Sequence, residues 1–230
     1  GQERFFGITE MIYDTQSEWA RAGSEAAIAE ERVAKTLTTS AGQTLRRVEP
    51  ATFSMGASRA EVGRRANEVI VPVTITRPFL ISVNEVTNKD FAEFRANHDS
   101  GSSQHASLAA DNNPVANVTW EDAIQYCNWL SQKEGRTPVY KHEFGKWVAV
   151  YPLSDGYRLP TEAEWTLAMR YAGQRQARKF PWGADWPPPK DSGNYADRSA
   201  IELVPSLLPS YDDGFPSTSP VGSFKPNALG

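Results

Sequence analysis

A chain of 230 residues, 40% hydrophobic and 23% charged, can bury one sizeable core and leave room for an appendage. A formal net charge of −4 without any basic block argues against nucleic-acid binding, and no apolar run approaches the length of a membrane span. Cys127 is the single cysteine, which excludes an internal disulfide and leaves the compartment open.

The chain opens on Gly1 without a signal-peptide pattern, as a fragment or processed product would, so a signal lost upstream stays open. Residues 1–45 read as a helical linker or the end of a preceding domain. Within them Ser17 to Lys35 is rich in Ala, Glu and Arg, and Trp19, Ala22, Ala26, Ala29 and Val33 form one narrow apolar stripe. Thr36 to Gln43 is polar and reads as loop. From about Arg46 the texture changes, and residues 46–230 read as one domain.

Val69 to Val83 is β-rich but interrupted by Pro72 and Pro78, which remove backbone donors and predict short, bent or edge strands. Three helix starts of one chemistry follow. Thr87 with Asp90, Thr119 with Asp122 and Thr161 with Glu164 each place an acid three residues after a threonine, the spacing of a capping box. Glutamate reaches back further than aspartate, so the third box is expected to be the best formed, with Trp165 anchoring its helix in the core. Gly135 and Gly173 are the expected helix stops. Beyond Gly173 the chain turns loop-rich: Phe180-Pro-Trp-Gly183 is a turn with an aromatic anchor, and Trp186-Pro-Pro-Pro189 is extended and stiff. Seven tryptophans and sixteen prolines suit such a fold, because large aromatics pin irregular loops that have little regular structure of their own.

Few groups in the chain suggest chemistry. His98, His105 and His142 have no metal-ligand spacing with one another or with Cys127, and read as surface or loop residues. Cys127 falls on the apolar face of a predicted helix, where a thiol is normally structural. Asn117-Val-Thr119 fits a glycosylation acceptor, but its threonine is already used as a cap. Gly56-Ala-Ser58 lacks the second glycine of a nucleophile elbow. Asn194, Asp197, Asp212 and Asp213 put oxygen donors on irregular chain, as a calcium site requires, yet solvated turn acids satisfy the spacing equally.

The order of the motifs adds more. Phe53-Ser-Met-Gly56, Glu85-Val-Thr-Asn88, Val118-Thr-Trp120, Arg158-Leu-Pro-Thr-Glu-Ala-Glu-Trp165, Pro181-Trp-Gly183, Gly193-Asn194 and Pro220-Val-Gly222 occur in one series. This series resembles the formylglycine-generating enzyme, or sulfatase-modifying factor, family over roughly residues 46–230. The resemblance implies an α+β domain with a C-type-lectin-like core, low in regular secondary structure and incomplete at its C-terminal part. It implies a structural calcium ion held by the side chains of Asn194 and Asp213 and the backbone carbonyls of Tyr195 and Phe215. It also implies that the two copper-binding cysteines of the oxidases, and a Gly-Asn-Val-Trp-Glu-Trp segment with a second metal site, would follow Gly230. Met169 stands where some relatives carry a structural cysteine. A truncated domain would leave Trp165 and Trp182 partly uncovered, in a patch prone to association.

Three functions are compatible with that family. The complete protein could convert a peptidyl cysteine to formylglycine with oxygen, using copper supplied by the later cysteines. It could be a non-catalytic lectin-like module that binds protein or ligand. It could be an accessory domain of a non-haem iron oxidoreductase. A protein or peptide is the expected substrate or partner, and bacterial cytoplasm and periplasm both stay open.

Overall fold

A computed structural model describes residues 12–14, 35–61, 63–205 and 207–230. The helical stripe expected over residues 17–35 lies, up to residue 34, outside the described residues.

A five-stranded antiparallel sheet organises the fold, in the order β2-β3-β6-β1-β9. Its strands are β1 (Ile12–Asp14), β2 (Thr36–Thr38), β3 (Thr44–Val48), β6 (Phe79–Ser82) and β9 (Tyr157–Arg158). The sheet therefore draws strands from both sides of residue 46. The segment read as a polar loop, Thr36 to Gln43, is half of a hairpin: Thr36 pairs Arg46, Leu37 pairs Leu45 and Thr38 pairs Thr44. The reason is a short period-2 pattern. Two exposed β-branched threonines flank the half-buried Leu37, and Gly42 at φ +87° closes the turn by donating to Thr39 O at 2.9 Å.

Both faces of the sheet are covered, and β6 shows this most clearly. Leu80 packs into one apolar cluster with Leu45, Phe91, Tyr126, Leu130 and Tyr157. Its neighbours Phe79 and Ile81 point the other way, into a second cluster with Val48, Phe53, Leu167 and Tyr171. Two small hairpins stand apart: β4 (Ala51–Met55) with β5 (Val71–Ile75), and β7 (Tyr140–Glu143) with β8 (Lys146–Ala149). Pro72 lies in β5, a strand with a neighbour on one side only, as its missing donor requires.

All three capping boxes form. They open α1 (Asn88–Phe94), α2 (Trp120–Lys133) and α3 (Glu162–Thr166). The return bond from the cap amide to the acid shortens from 3.1 Å at Asp90, through 2.9 Å at Asp122, to 2.7 Å at Glu164. The longer glutamate makes the tightest box. The α3 helix continues into a π-helical turn, Leu167–Tyr171, which Ala172 and Gly173 end with positive φ. Gly135, at φ +68°, follows α2 in the same way.

Trp165 is not the core anchor the sequence suggested. The buried positions of this segment are Glu164, Leu167, Ala168 and Tyr171, spaced three and four apart, which turns Trp165 to the flank. There it lines a cavity of about 120 Å³ with Arg46, Ile81, Val83, Met169 and Leu229.

Gly156 sits where α2 meets the turn into β9. A methyl group there would come within 2.2 Å of Thr137 O and 2.9 Å of Ser131 Oγ. Ser131 Oγ is itself committed, donating to Cys127 O and accepting from Tyr157 N, both at 2.8 Å. Gly156→Ala is therefore expected to cost about 1–3 kcal/mol through overpacking, read as a lower urea midpoint at unchanged m-value.

Candidate functional site

The loops from residue 188 to 217 contain no strand, so side-chain hydrogen bonds do the work that a sheet does elsewhere. Asp197 is the organising group. It is wholly buried, and its Oδ1 accepts from Ser199 N at 2.8 Å and Ser199 Oγ at 2.6 Å. Its Oδ2 accepts from the amide of Asp213, sixteen residues further on. Asp213 then reaches back: Oδ2 accepts from Tyr195 N at 2.8 Å and Oδ1 from Phe215 N at 2.9 Å. Asn194 Nδ2 donates to Ser217 O at 2.6 Å.

The four residues implied as calcium ligands, Asn194, Tyr195, Asp213 and Phe215, are thus brought into one hydrogen-bonded patch. Asp212 is not part of it; it is exposed and caps Gly214 N at 3.1 Å. An aromatic ladder backs the patch. Phe180 stacks on Trp182 with centroids 4.9 Å apart, Trp182 meets Tyr195 edge-on at 5.7 Å, and Tyr195 meets Tyr211 at 5.7 Å. Tyr211 Oη ties down the start of the loop, donating to Gly193 O at 2.9 Å and accepting from Ser192 N at 3.2 Å.

The two carboxylates titrate in opposite directions. Burial works to raise the Asp197 carboxyl, but the bonds from Ser199 and from the Asp213 amide prevail and hold it below its ordinary value. Burial pushes the Asp213 carboxyl up, and the neighbouring Asp197 charge adds to the push against two amide bonds. A cation beside Asp213 would relieve both costs.

The donor set passes a test for such a cation. Asp213 spends only one lone pair of each oxygen on an amide. Among the described residues no donor reaches Asn194 Oδ1 or the carbonyls of Tyr195 and Phe215. One carboxylate, one amide oxygen and two carbonyls suit a hard cation of the calcium type.

Copper does not fit this chain's residues. Cys127 is fully buried, burial pushes its thiol up to about 12, and there is no second cysteine to complete a thiolate pair. Among the described residues no group of three or more His, Cys, Asp and Glu could hold a metal ion. The histidines are committed elsewhere. His98 Nε2 lies 2.7 Å from Ala116 O and its ring meets Phe91 edge-on, so it is half-buried, not at the surface. His105 Nδ1 lies 2.8 Å from Ser107 Oγ and caps a short 3-10 turn, while His142 packs edge-on against Trp147. Asn117 Nδ2 donates to Asp99 O at 3.1 Å, and Thr119 is the cap of α2.

A second set of contacts escaped sequence reasoning. Asn113 Nδ2 donates to Ser107 O and Thr218 O, both at 2.9 Å, and Ser107 Oγ bonds Ser217 Oγ. These bonds fasten the patch to the loop after α1, across more than a hundred residues of sequence. Serines and asparagines in loops give no signal of a distant partner.

A small twice-covered antiparallel sheet, capped helices on its flanks and a long loop region built around carboxylates define an α+β domain of the lectin-like kind, in which loops present the functional groups. The chain belongs to the sulfatase-modifying factor family: the family model described as a sulfatase-modifying factor enzyme 1-like domain matches residues 30–230. It is 30% identical over 167 residues to the chaperone protein LppX of Paenibacillus barcinonensis, covering 66% of this chain and 57% of that protein. It is 34% identical over 123 residues to the formylglycine-generating enzyme of Mus musculus, covering 54% of this chain and 25% of the enzyme. The fold is similar to that of PvdO from Pseudomonas aeruginosa, with a TM-score of 0.53 at 24% identity over 84% of this chain and 68% of PvdO. The chain thus spans between a quarter and three fifths of these two sequence relatives' lengths. No helix among the described residues is long and apolar enough to cross a membrane.

Proposed function

We propose that this chain is the scaffold and calcium-binding part of a protein that modifies a peptidyl cysteine to formylglycine with oxygen. The family match over residues 30–230, together with matched relatives that are themselves formylglycine-generating enzymes, carries the reading. A polypeptide as the molecule acted on suits both these enzymes and the relative named as a chaperone. The redox centre of such a protein would be supplied by residues outside this chain, since Cys127 is sealed in the core. What these residues contribute is the fixed loop region of Asn194 to Ser217, held by Asp197 and braced by calcium.

The test uses the full-length protein with copper(I), oxygen and a Cys-x-Pro-x-Arg peptide, with aldehyde captured by an aminooxy probe. Aldehyde formation by the full-length protein, and none by residues 1–230 alone, is the expected result. A full-length protein that forms no aldehyde on such a peptide overturns the reading.

Calcium has a readout of its own. Millimolar Ca²⁺ is expected to raise the melting temperature of this chain by several degrees, and Asp213→Ala should abolish the rise. The pH dependence has a definite sign. With the folded Asp213 carboxyl above its unfolded value, the metal-free chain loses a little stability as pH rises through that window, because the folded state binds the proton more tightly. Calcium needs the ionised form, so the calcium-induced rise should grow over the same window. A rise in melting temperature that is independent of pH and unchanged in Asp213→Ala would place the ion elsewhere.

A further inference from the structure

The family match begins at residue 30, yet the middle of the sheet is completed from upstream of it. β1 lies between β6 and β9 and pairs with both. Ile12 stands opposite Ile81 and Arg158, Tyr13 opposite Leu80 and Tyr157, and Asp14 opposite Phe79. The flanking strands are buried at every position. Their inner edges therefore need a strand between them, because buried backbone N–H and C=O groups need partners.

Ile12–Asp14 fills this place imperfectly. It has three residues where β6 has four, and only Ile12 and Tyr13 reach β9. Its last position is an aspartate opposite the buried Phe79. Strands enclosed between buried neighbours are normally unbroken runs of β-branched and apolar residues, and aspartate is among the residues they exclude. The strand is joined to β2 only through residues 15–35, so its hold on the domain is that of a tethered segment.

We propose that the gap between β6 and β9 is a receptor for an extended polypeptide strand, and that Ile12–Asp14 is a displaceable plug in it. The partner is an antiparallel strand, apolar throughout, with no charge opposite Phe79. Main-chain bonds to β6 and β9 provide its affinity. Its alternate side chains are selected by the two core clusters, through Leu80 and Tyr157 on one face and Phe79 and Ile81 on the other. The proposal is independent of the cysteine chemistry and of calcium.

The probe is a fluorescein-labelled peptide carrying residues 9–18 of this chain, unchanged or with Asp14→Val, added to the full 230-residue chain and followed by anisotropy. The Asp14→Val peptide is expected to bind at least tenfold more tightly than the unchanged one. A chain carrying Ile12→Cys and Ile81→Cys should refuse the peptide when oxidised and accept it again in dithiothreitol. No binding of the Asp14→Val peptide to the reduced chain, or binding that ignores the staple, overturns the proposal. Should the cysteine pair disturb folding, Asp14→Val placed in the chain itself decides. The better plug must cut peptide capture at least tenfold while unfolding stays cooperative, and undiminished capture refutes displacement.

Discussion

Replacing Glu164 by alanine is expected to destabilise the domain by about 3–5 kcal/mol, the largest single-residue effect anticipated here. Glu164 is buried and serves two partners at once. Its oxygens take a bidentate bond from Arg158, 2.8 Å from Nη1 and 2.6 Å from Nη2, and Oε2 also accepts from Thr161 N and Thr161 Oγ1. Removing the carboxylate takes both oxygens from the Arg158 guanidinium, itself buried, and opens the cap of α3. Most of the cost is the buried cation, not the cap, which by itself contributes about 1 kcal/mol. A double change, Arg158→Met with Glu164→Leu, should therefore recover much of the loss, since it removes both charges together. If the double variant is as unstable as Glu164→Ala in urea, the buried charge is not the cause.

The same pair sets an acid limb. Burial works to raise the Glu164 carboxyl, but Arg158 and Thr161 overcome it and hold it below the ordinary glutamate value. The folded value lies under the unfolded one, so this contribution is complete above the unfolded glutamate value of about 4.3 and is lost as pH falls through the folded value. In Glu164→Gln that part of the pH–stability curve should flatten.

The second large effect is expected at Asp197. Alanine there should cost about 2–4 kcal/mol, because three donors lose their acceptor: Ser199 N, Ser199 Oγ and Asp213 N. The consequence goes beyond stability. Asp213 N is the point at which Asp197 ties residues 211–215 to residues 194–199, so the proposed calcium ligands should lose their fixed separation. Calcium-induced stabilisation should disappear in Asp197→Ala although Asn194, Asp213 and both carbonyls remain. Asp197→Asn gives the control: it can still accept from the Asp213 amide, so it should retain part of the calcium effect. A full calcium response in Asp197→Ala would show that the loops are placed by other contacts, the tyrosine ladder first among them.

Much of the architecture was legible because it rests on local chemistry. The three capping boxes, the glycines after α2 and after the π-turn, the proline-bearing edge strand and the buried thiol each depend on residues a few positions apart, and each formed as the spacing indicated. Trp165 failed because an amphipathic face is chosen by its neighbours: once Glu164 is drawn inward to Arg158, the buried row is 164, 167, 168 and 171. Thr36 to Gln43 failed because a three-residue strand leaves too short a pattern to outweigh polar composition.

The candidate site divides along the same line. Family likeness singled out Asn194, Tyr195, Asp213 and Phe215, but no local rule distinguishes them from ordinary turn residues. Asp197 stood in the sequence as one acid among several. Only its complete burial, and its bond to an amide sixteen residues away, separates it from the exposed Asp212.

By itself, then, the sequence determined the helix starts and stops, the family and the α+β class, because these follow from hydrogen bonds and periodicities within a turn or two of chain. Which face of α3 is buried, which acid organises the loops and which segment enters the middle of the sheet were decided by the tertiary structure alone. Each depends on partners far apart in sequence, and the free energy of burying a polar group or pairing a strand is fixed only when those partners meet.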